Sequence, residues 1–262
     1  MIDVDEVTAR AAAHERRLLP YVQPHLERRK AGIKHPVHDF MFDYYSLRPS
    51  HLLRWTPGDD DLPEHKRALV RGLRNLLTAT RDRRAQLGCF GLHEWAMVYR
   101  ADQTRHARRL RLGAEETDQV VESHRITCTH FDAYRFFTPD AMDLNTLDPR
   151  ADDRPQFEQP GCLHAGMDLY KHAFRLAPHI GSDLIADAFE LAWDIRIMDM
   201  RAAPYDLDGL ALDPTGAMWT PIRIETVEGK REYADQQVQF AERGAPIRQR
   251  LIDQCEHLLH VG

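Results

Sequence analysis

Two groups of ionisable residues in the second half of the chain are spaced so that neighbouring helices would each present one charged edge. Asp183, Asp187, Glu190 and Asp194 fall within about 60° of one another at 100° per residue and form an acidic stripe. His164, Asp168 and His172 recur at every fourth position and span about 80° of a preceding helix. Imidazoles and carboxylates on facing helices are a common way for a bundle to hold a transition metal. His164, Asp168, His172 and Glu190 are therefore candidate ligands for a divalent ion such as iron, manganese or zinc. The same groups serve equally as acids and bases without a metal, which makes Glu190, Asp194, His164 and Asp168 the candidate catalytic residues. Neither Glu-x-x-His nor His-Glu-x-x-His occurs. The competing reading is that the stripe is the one solvated line of an otherwise apolar helix, because unpaired charge is costly to bury.

Ionisable groups continue past the stripe with Arg196, Asp199, Arg201 and Tyr205. His93-Glu94-Trp95 and His130-Phe-Asp132 each join a titratable group to an aromatic ring that could stack on a planar ligand. The expected substrate-binding set is Glu94, Trp95, His130, Tyr134, Trp193, Arg201 and Tyr205. No Walker loop, Gly-x-Gly-x-x-Gly, Gly-x-Ser-x-Gly elbow or kinase signature is present, which argues against those enzyme classes.

The elements that must position these groups read as mainly α. Residues 4–31 predict one or two helices, broken near Pro20 and Pro24 and stopped at Gly32. Leu69, Leu73, Leu76 and Leu77 mark an amphipathic helix over Leu62–Leu87. Helices are expected over Cys162–Ala177 and Ser182–Ala202, and from about Val227 to Leu259 with a break at Gly244-Ala-Pro246. Alternation of Ile126, Cys128, His130 and Asp132 suggests a small accessory hairpin or sheet near 125–137. Thr138–Gly161, with prolines at 139, 149, 155 and 160, has the character of a lid or substrate loop.

With 262 residues, 43% hydrophobic and 29% charged, the chain is expected to fold as a single helical domain, 1–262. Its net charge of −6 averages a basic half, 1–111, with 21 Lys/Arg against 14 Asp/Glu, and an acidic half, 112–262, with 14 against 27. Basic clusters such as Arg16-Arg17, Arg28-Arg29-Lys30 and Arg105/Arg108/Arg109/Arg111 raise DNA or another polyanion as a partner, against the plainer reading of solvated helix faces. No apolar run reaches the roughly 18 residues of a membrane span, and the N-terminus lacks secretion-signal character, so no membrane and a cytoplasmic location are expected. The four cysteines form no Cys-x-x-Cys pair.

The segments His35-Pro-Val-His-Asp-Phe-Met-Phe-Asp-Tyr-Tyr-Ser-Leu-Arg-Pro-Ser50, Gly91-Leu-His-Glu-Trp-Ala-Met-Val-Tyr99, Gln159-Pro-Gly-Cys-Leu-His-Ala-Gly-Met-Asp-Leu-Tyr-Lys-His172 and Met200-Arg-Ala-Ala-Pro-Tyr-Asp-Leu207 resemble a bacterial family labelled 3-methyladenine DNA glycosylase. The resemblance implies hydrolysis of the bond between an alkylated purine and deoxyribose, with no cofactor required. Glu190 or Asp194 would then be the assisting carboxylate, and Trp95, Tyr134 and Trp193 the stacking rings. The sequence carries two other expectations. One is a metal-dependent helical enzyme acting on a small molecule; the other is a non-catalytic helical module that binds a polyanion or partner.

Overall fold

The computed structural model describes residues 3–102 and 108–261. Arg105 lies outside the described residues. In chain order the elements are α1 (Val4–Lys30), α2 (Phe40–Asp43), α3 (Pro49–Leu52), α4 (Glu64–Asp82), α5 (Leu92–Ala96), α6 (Ala114–Glu122), α7 (Phe131–Tyr134), α8 (Pro139–Met142), α9 (Arg154–Phe157), α10 (Leu163–Arg175), α11 (Ser182–Ala202), β1 (Ala211–Leu212), β2 (Ala217–Met218) and α12 (Val227–Val261). The mainly α fold with a small hairpin is as expected.

The hairpin sits elsewhere than expected. β1 and β2 pair antiparallel, Ala211 with Met218, across a turn carrying Gly216 at φ +69°. Residues 125–137 instead contribute one isolated bridge, Ile126 to Asn145, and then α7. The Ile126–Asp132 alternation reflects an extended segment with one side packed inward rather than a strand with a partner. Two-residue strands are too short to show any period, so β1 and β2 left no comparable signal.

α10 and α11 pack against each other, and α12 packs on α4, α10 and α11. One apolar core runs through them from Leu18 to Leu258, with a smaller cluster formed by Val37, Val98, Met200, Tyr205, Leu212 and Trp219. The breaks expected in α1 and α12 do not occur: Pro20, Pro24 and Pro246 lie inside continuous helices. A proline within a helix costs roughly 3 kcal/mol. Burial of Leu18, Val22 and His25 along α1, and of Ile247, Leu251 and Cys255 along α12, offsets it.

Two glycines set the spacing on which the site depends. A Cβ on Gly166 of α10 would lie 2.8 Å from Ile195 Cδ1 of α11, so the two helices approach closely there. Gly91 adopts φ +71°, and a Cβ on it would stand 3.3 Å from both Ala202 and Tyr233. This close seat brings α5 against the end of α11, where Trp95 Nε1 donates to Ala202 O at 2.9 Å.

The charge asymmetry between the halves is used within the fold. Arg17 donates to Asp187 and Glu190, Arg28 to Asp213 and Arg111 to Glu225, each pair crossing from the basic half to the acidic one. No helix among the described residues is long and apolar enough to cross a membrane.

Candidate functional site

The acidic stripe of α11 turns outward, away from His164. Glu190 receives Arg17 Nε and Nη2 at 2.9 and 2.6 Å, Asp187 pairs with Arg17 and Arg250, Asp194 with Arg243, and Asp183 accepts from Trp55 Nε1 at 3.2 Å. Glu190 and Asp194 are therefore corrected as members of a shared pocket, and Glu190 as a metal ligand. The inward face of α11 carries Arg196 and Asp199 instead. Asp199 follows Glu190 by nine residues, about two and a half turns, which places it on the opposite side of the helix.

Asp199 meets His93 of α5 and His164 of α10. Candidate ligand atoms of the three lie within 4.8 Å of one another. His93 Nε2 stands 3.0 Å from Asp199 Oδ1, and the rings of His93 and His164 meet edge-on with centroids 4.5 Å apart. Despite that proximity, neither His93 Nε2 nor either oxygen of Asp199 has a hydrogen-bond partner of proper geometry, and all three atoms are buried. Buried polar atoms are ordinarily satisfied, so three orphans on one point are unusual. His93 Nδ1, the other ring nitrogen, faces Cys89 Sγ at 3.6 Å.

Electrostatics couples the trio. Burial raises the Asp199 carboxyl and is outweighed by His93, which brings it down to about 2. Burial likewise works against charging His93, but Asp199 holds it well above the ordinary imidazole range. His164 is pushed well below that range by burial and by His93, and so stays neutral with a lone pair to donate. Once His93 gives up its proton to an incoming ion, two imidazoles and one carboxylate form a donor set suited to a first-row transition metal.

A second ionic cluster lies behind His164. His130 Nε2 is 3.3 Å from Asp168 and 3.5 Å from Glu158, and its ring centroid is 5.4 Å from that of His164. Here the carboxylates already have cations: Arg154 pairs with Glu158 and Asp168, and Lys171 with Asp168 and Asp132. Burial opposes the Asp168 charge, but His130 and Lys171 hold its carboxyl well below the usual range. Fixed cations occupy the place a second metal would need, so Asp168 is corrected as a ligand. The third grouping, His35, His38 and Asp213, differs in the same sense: both His35 nitrogens are hydrogen-bonded, His38 Nε2 accepts from Asp213 N, and Asp213 Oδ2 accepts from Arg28.

His164 lines two cavities. One, of about 70 Å³, is walled by Phe40, Tyr44, Met97, Phe136 and Met167, with Glu94, Asp132 and Arg196 as its polar groups. The other, of about 10 Å³, is lined by Cys89, Cys128, Cys162, His93 and Tyr233, and matches the roughly 10–15 Å³ that one water requires.

Of the expected residues, His164 and Glu94 reach the larger cavity, and His130 and Asp168 support it from behind. Trp95 is wholly buried and tied to Ala202 O, so it cannot stack on a ligand. Trp193 is sandwiched inside the protein with His38, their rings 4.2 Å apart and nearly parallel. Tyr134 packs on Phe137 outside the cavity, Arg201 binds Glu232 and Thr220, and Tyr205 belongs to the smaller core. His172 is buried beyond Asp168, and burial pushes it down to about 3. It does not join the metal group and is corrected there. The lid expected over Thr138–Gly161 is held down at its end, where Arg83 Nη1 donates to Glu158 O at 2.7 Å and Gln86 N donates to Gln159 Oε1 at 2.8 Å.

In the sequence Arg196 and Asp199 only continue the run of ionisable groups, with no role of their own. Their signal was present, since charged residues three apart on an otherwise apolar helix face need partners. Phe40, Tyr44 and Met97 carried none, because only the fold brings them to α10 and α11. No family model matches the chain, nor does any curated protein or solved structure.

Proposed function

We propose that the protein is a metal-dependent enzyme acting on a small molecule, with His93, His164 and Asp199 holding one divalent transition ion beside the larger cavity. The supporting observation is that candidate ligand atoms of His93, His164 and Asp199 lie within 4.8 Å of one another, with His93 Nε2 and both Asp199 oxygens buried and without a well-aligned hydrogen bond. Such an ion would supply Lewis acidity toward a bound water or substrate oxygen. Glu94, 6% exposed and accepting no hydrogen bond among the described residues, is placed to take a proton from what enters the cavity. Cys89 would orient His93 through Nδ1, as partners of ligating histidines do.

Elemental analysis of the purified chain, expressed in metal-supplemented medium, tests the proposal. About one ion per chain is expected, falling below about a tenth in His164→Ala and Asp199→Asn and unchanged in His35→Ala. Wild-type protein that carries less than about a tenth of an ion under those conditions refutes it.

A second reading, excision of alkylated purines from DNA, is favoured by one observation: a buried carboxylate, Glu94, stands beside the stacked rings of Phe40 and Tyr44, 4.7 Å apart. A cationic base would meet the Glu94 carboxylate, while the Arg196 guanidinium 4.2 Å over Phe40 opposes it. It requires the cavity to open, since benzene alone occupies an engineered cavity of roughly 150 Å³. Abasic-site formation on methylated DNA that is lost in Glu94→Gln and retained in Glu190→Gln would support it; no abasic sites with wild-type protein would remove it.

A further inference from the structure

The larger cavity admits little more than the head group of a molecule. Its volume of about 70 Å³ is under half that of an engineered cavity that holds benzene, roughly 150 Å³. Two to four non-hydrogen atoms fit, with the remainder of a ligand outside. Tyr44, Asp132 and Phe136 are part-exposed and form the rim, while Glu94 and Arg196 are 6% and 3% exposed and lie deepest.

These two deep groups are fixed as a pair and left open. The Arg196 guanidinium donates through Nε to Val37 O at 3.3 Å and through Nη2 to Pro36 O at 3.4 Å, and its carbon sits 4.2 Å over the Phe40 ring. Its third nitrogen, Nη1, is thereby aimed between Glu94 Oε1 at 3.7 Å and Asp199 Oδ2 at 3.6 Å, too far to hydrogen-bond to either. Among the described residues nothing donates to the Glu94 carboxylate. A charge-bearing acceptor and a charge-bearing donor thus stand side by side, each lacking a bond that a ligand would complete.

We infer that the Glu94–Arg196 pair reads a small neutral head group carrying an N–H donor next to a carbonyl acceptor, that is, a carboxamide or urea. Glu94 accepts the N–H, and Arg196 Nη1 donates to the carbonyl oxygen, which then lies on the side of His164 and Asp199. A carboxylate of the same size would set negative charge against Glu94, and an ammonium or amidinium would set positive charge against Arg196. The inference rests on the metal-enzyme reading for the subsequent reaction, but not for the binding.

Binding of acetamide to the purified full-length chain, followed by ligand-observed NMR, tests it, with acetate and methylammonium as charged probes of similar size. A ligand of so few atoms binds weakly, so the decisive quantity is the ratio of affinities. Acetamide is expected to bind at least about tenfold more tightly than either ion. Glu94→Leu should abolish its binding. Glu94→Gln, which keeps the shape and removes the charge, should cut the acetamide-to-acetate ratio by about tenfold by admitting acetate. Acetate binding as tightly as acetamide, a ratio unmoved in Glu94→Gln, or no saturable acetamide binding would each overturn the inference. Metal content measured on the same samples keeps the two readings apart: selective acetamide binding by metal-free protein sinks the enzyme reading alone, and metal-loaded protein without selectivity sinks this one alone.

Discussion

Replacing Asp199 by Asn distinguishes a ligand from one half of a closed ion pair. If Asp199 and His93 formed a conventional buried salt bridge, removing one charge would leave the other uncompensated and cost about 3–5 kcal/mol. The carboxylate, however, accepts no hydrogen bond from His93, and desolvation of the two charges already opposes their attraction. In chelator His93 can shed its proton once the carboxylate is gone, so the variant should lose less than the about 3–5 kcal/mol of a broken buried pair. With metal the gap widens. At a free-ion concentration a thousand times Kd the wild-type chain gains about 4.1 kcal/mol, and a variant whose affinity is a hundredfold weaker gains about 1.4 kcal/mol under the same conditions. The difference of about 2.7 kcal/mol corresponds to about 5–11 °C in Tm for a chain of this size. Thermal unfolding of both proteins with chelator and with saturating metal provides all four values. A loss of about 3 kcal/mol or more in chelator, together with no gain from metal in the wild type, would show that Asp199 is a structural counter-ion and refute the reasoning.

Three further outcomes follow from the geometry. Glu190→Gln and Asp194→Asn should leave metal content unchanged, because both side chains lie on the outward face of α11; Glu190→Gln should cost about 1 kcal/mol by chemical denaturation for the lost Arg17 bridge. The Asp187 carboxyl is raised by burial but lowered overall by hydrogen bonds from Arg250 and Arg17; its contribution is present above the ordinary value of about 3.9 and lost as pH falls through the depressed folded value, so the stability gap between wild type and Asp187→Asn should hold at neutral pH and close in strong acid. Gly91→Ala should destabilise by about 1–3 kcal/mol in urea titration, from the left-handed φ and the 3.3 Å approaches to Ala202 and Tyr233.

How much was legible in the sequence varied with the range of the forces involved. Helical period identified α4, α10 and α11, since amphipathic spacing is a local property. It also singled out His164, whose neighbours on α10 share its face. The partner of that face is not legible, because a stripe of like charge looks the same whether it meets a cleft or a set of arginines. Arg17, Arg243 and Arg250, which settle the matter, come from α1 and α12. Proline misleads for a related reason: a lost hydrogen bond is visible in the chain, and the packing that compensates Pro20 and Pro246 is not. His93 and Asp199, 106 positions apart, could be joined only by the three-dimensional arrangement of α5, α10 and α11.

The pairs Arg17–Glu190, Arg28–Asp213 and Arg111–Glu225 all bridge the boundary between a stretch of formal charge +7 and one of −13. A polypeptide severed at that boundary would yield two fragments of opposite sign, each missing part of the shared interior. Their reassembly would be guided over distance by attraction and completed by burial. Added electrolyte would slow the first stage and leave the second largely intact. The uneven distribution of acids and bases along the chain would then act as a long-range guide between its two parts.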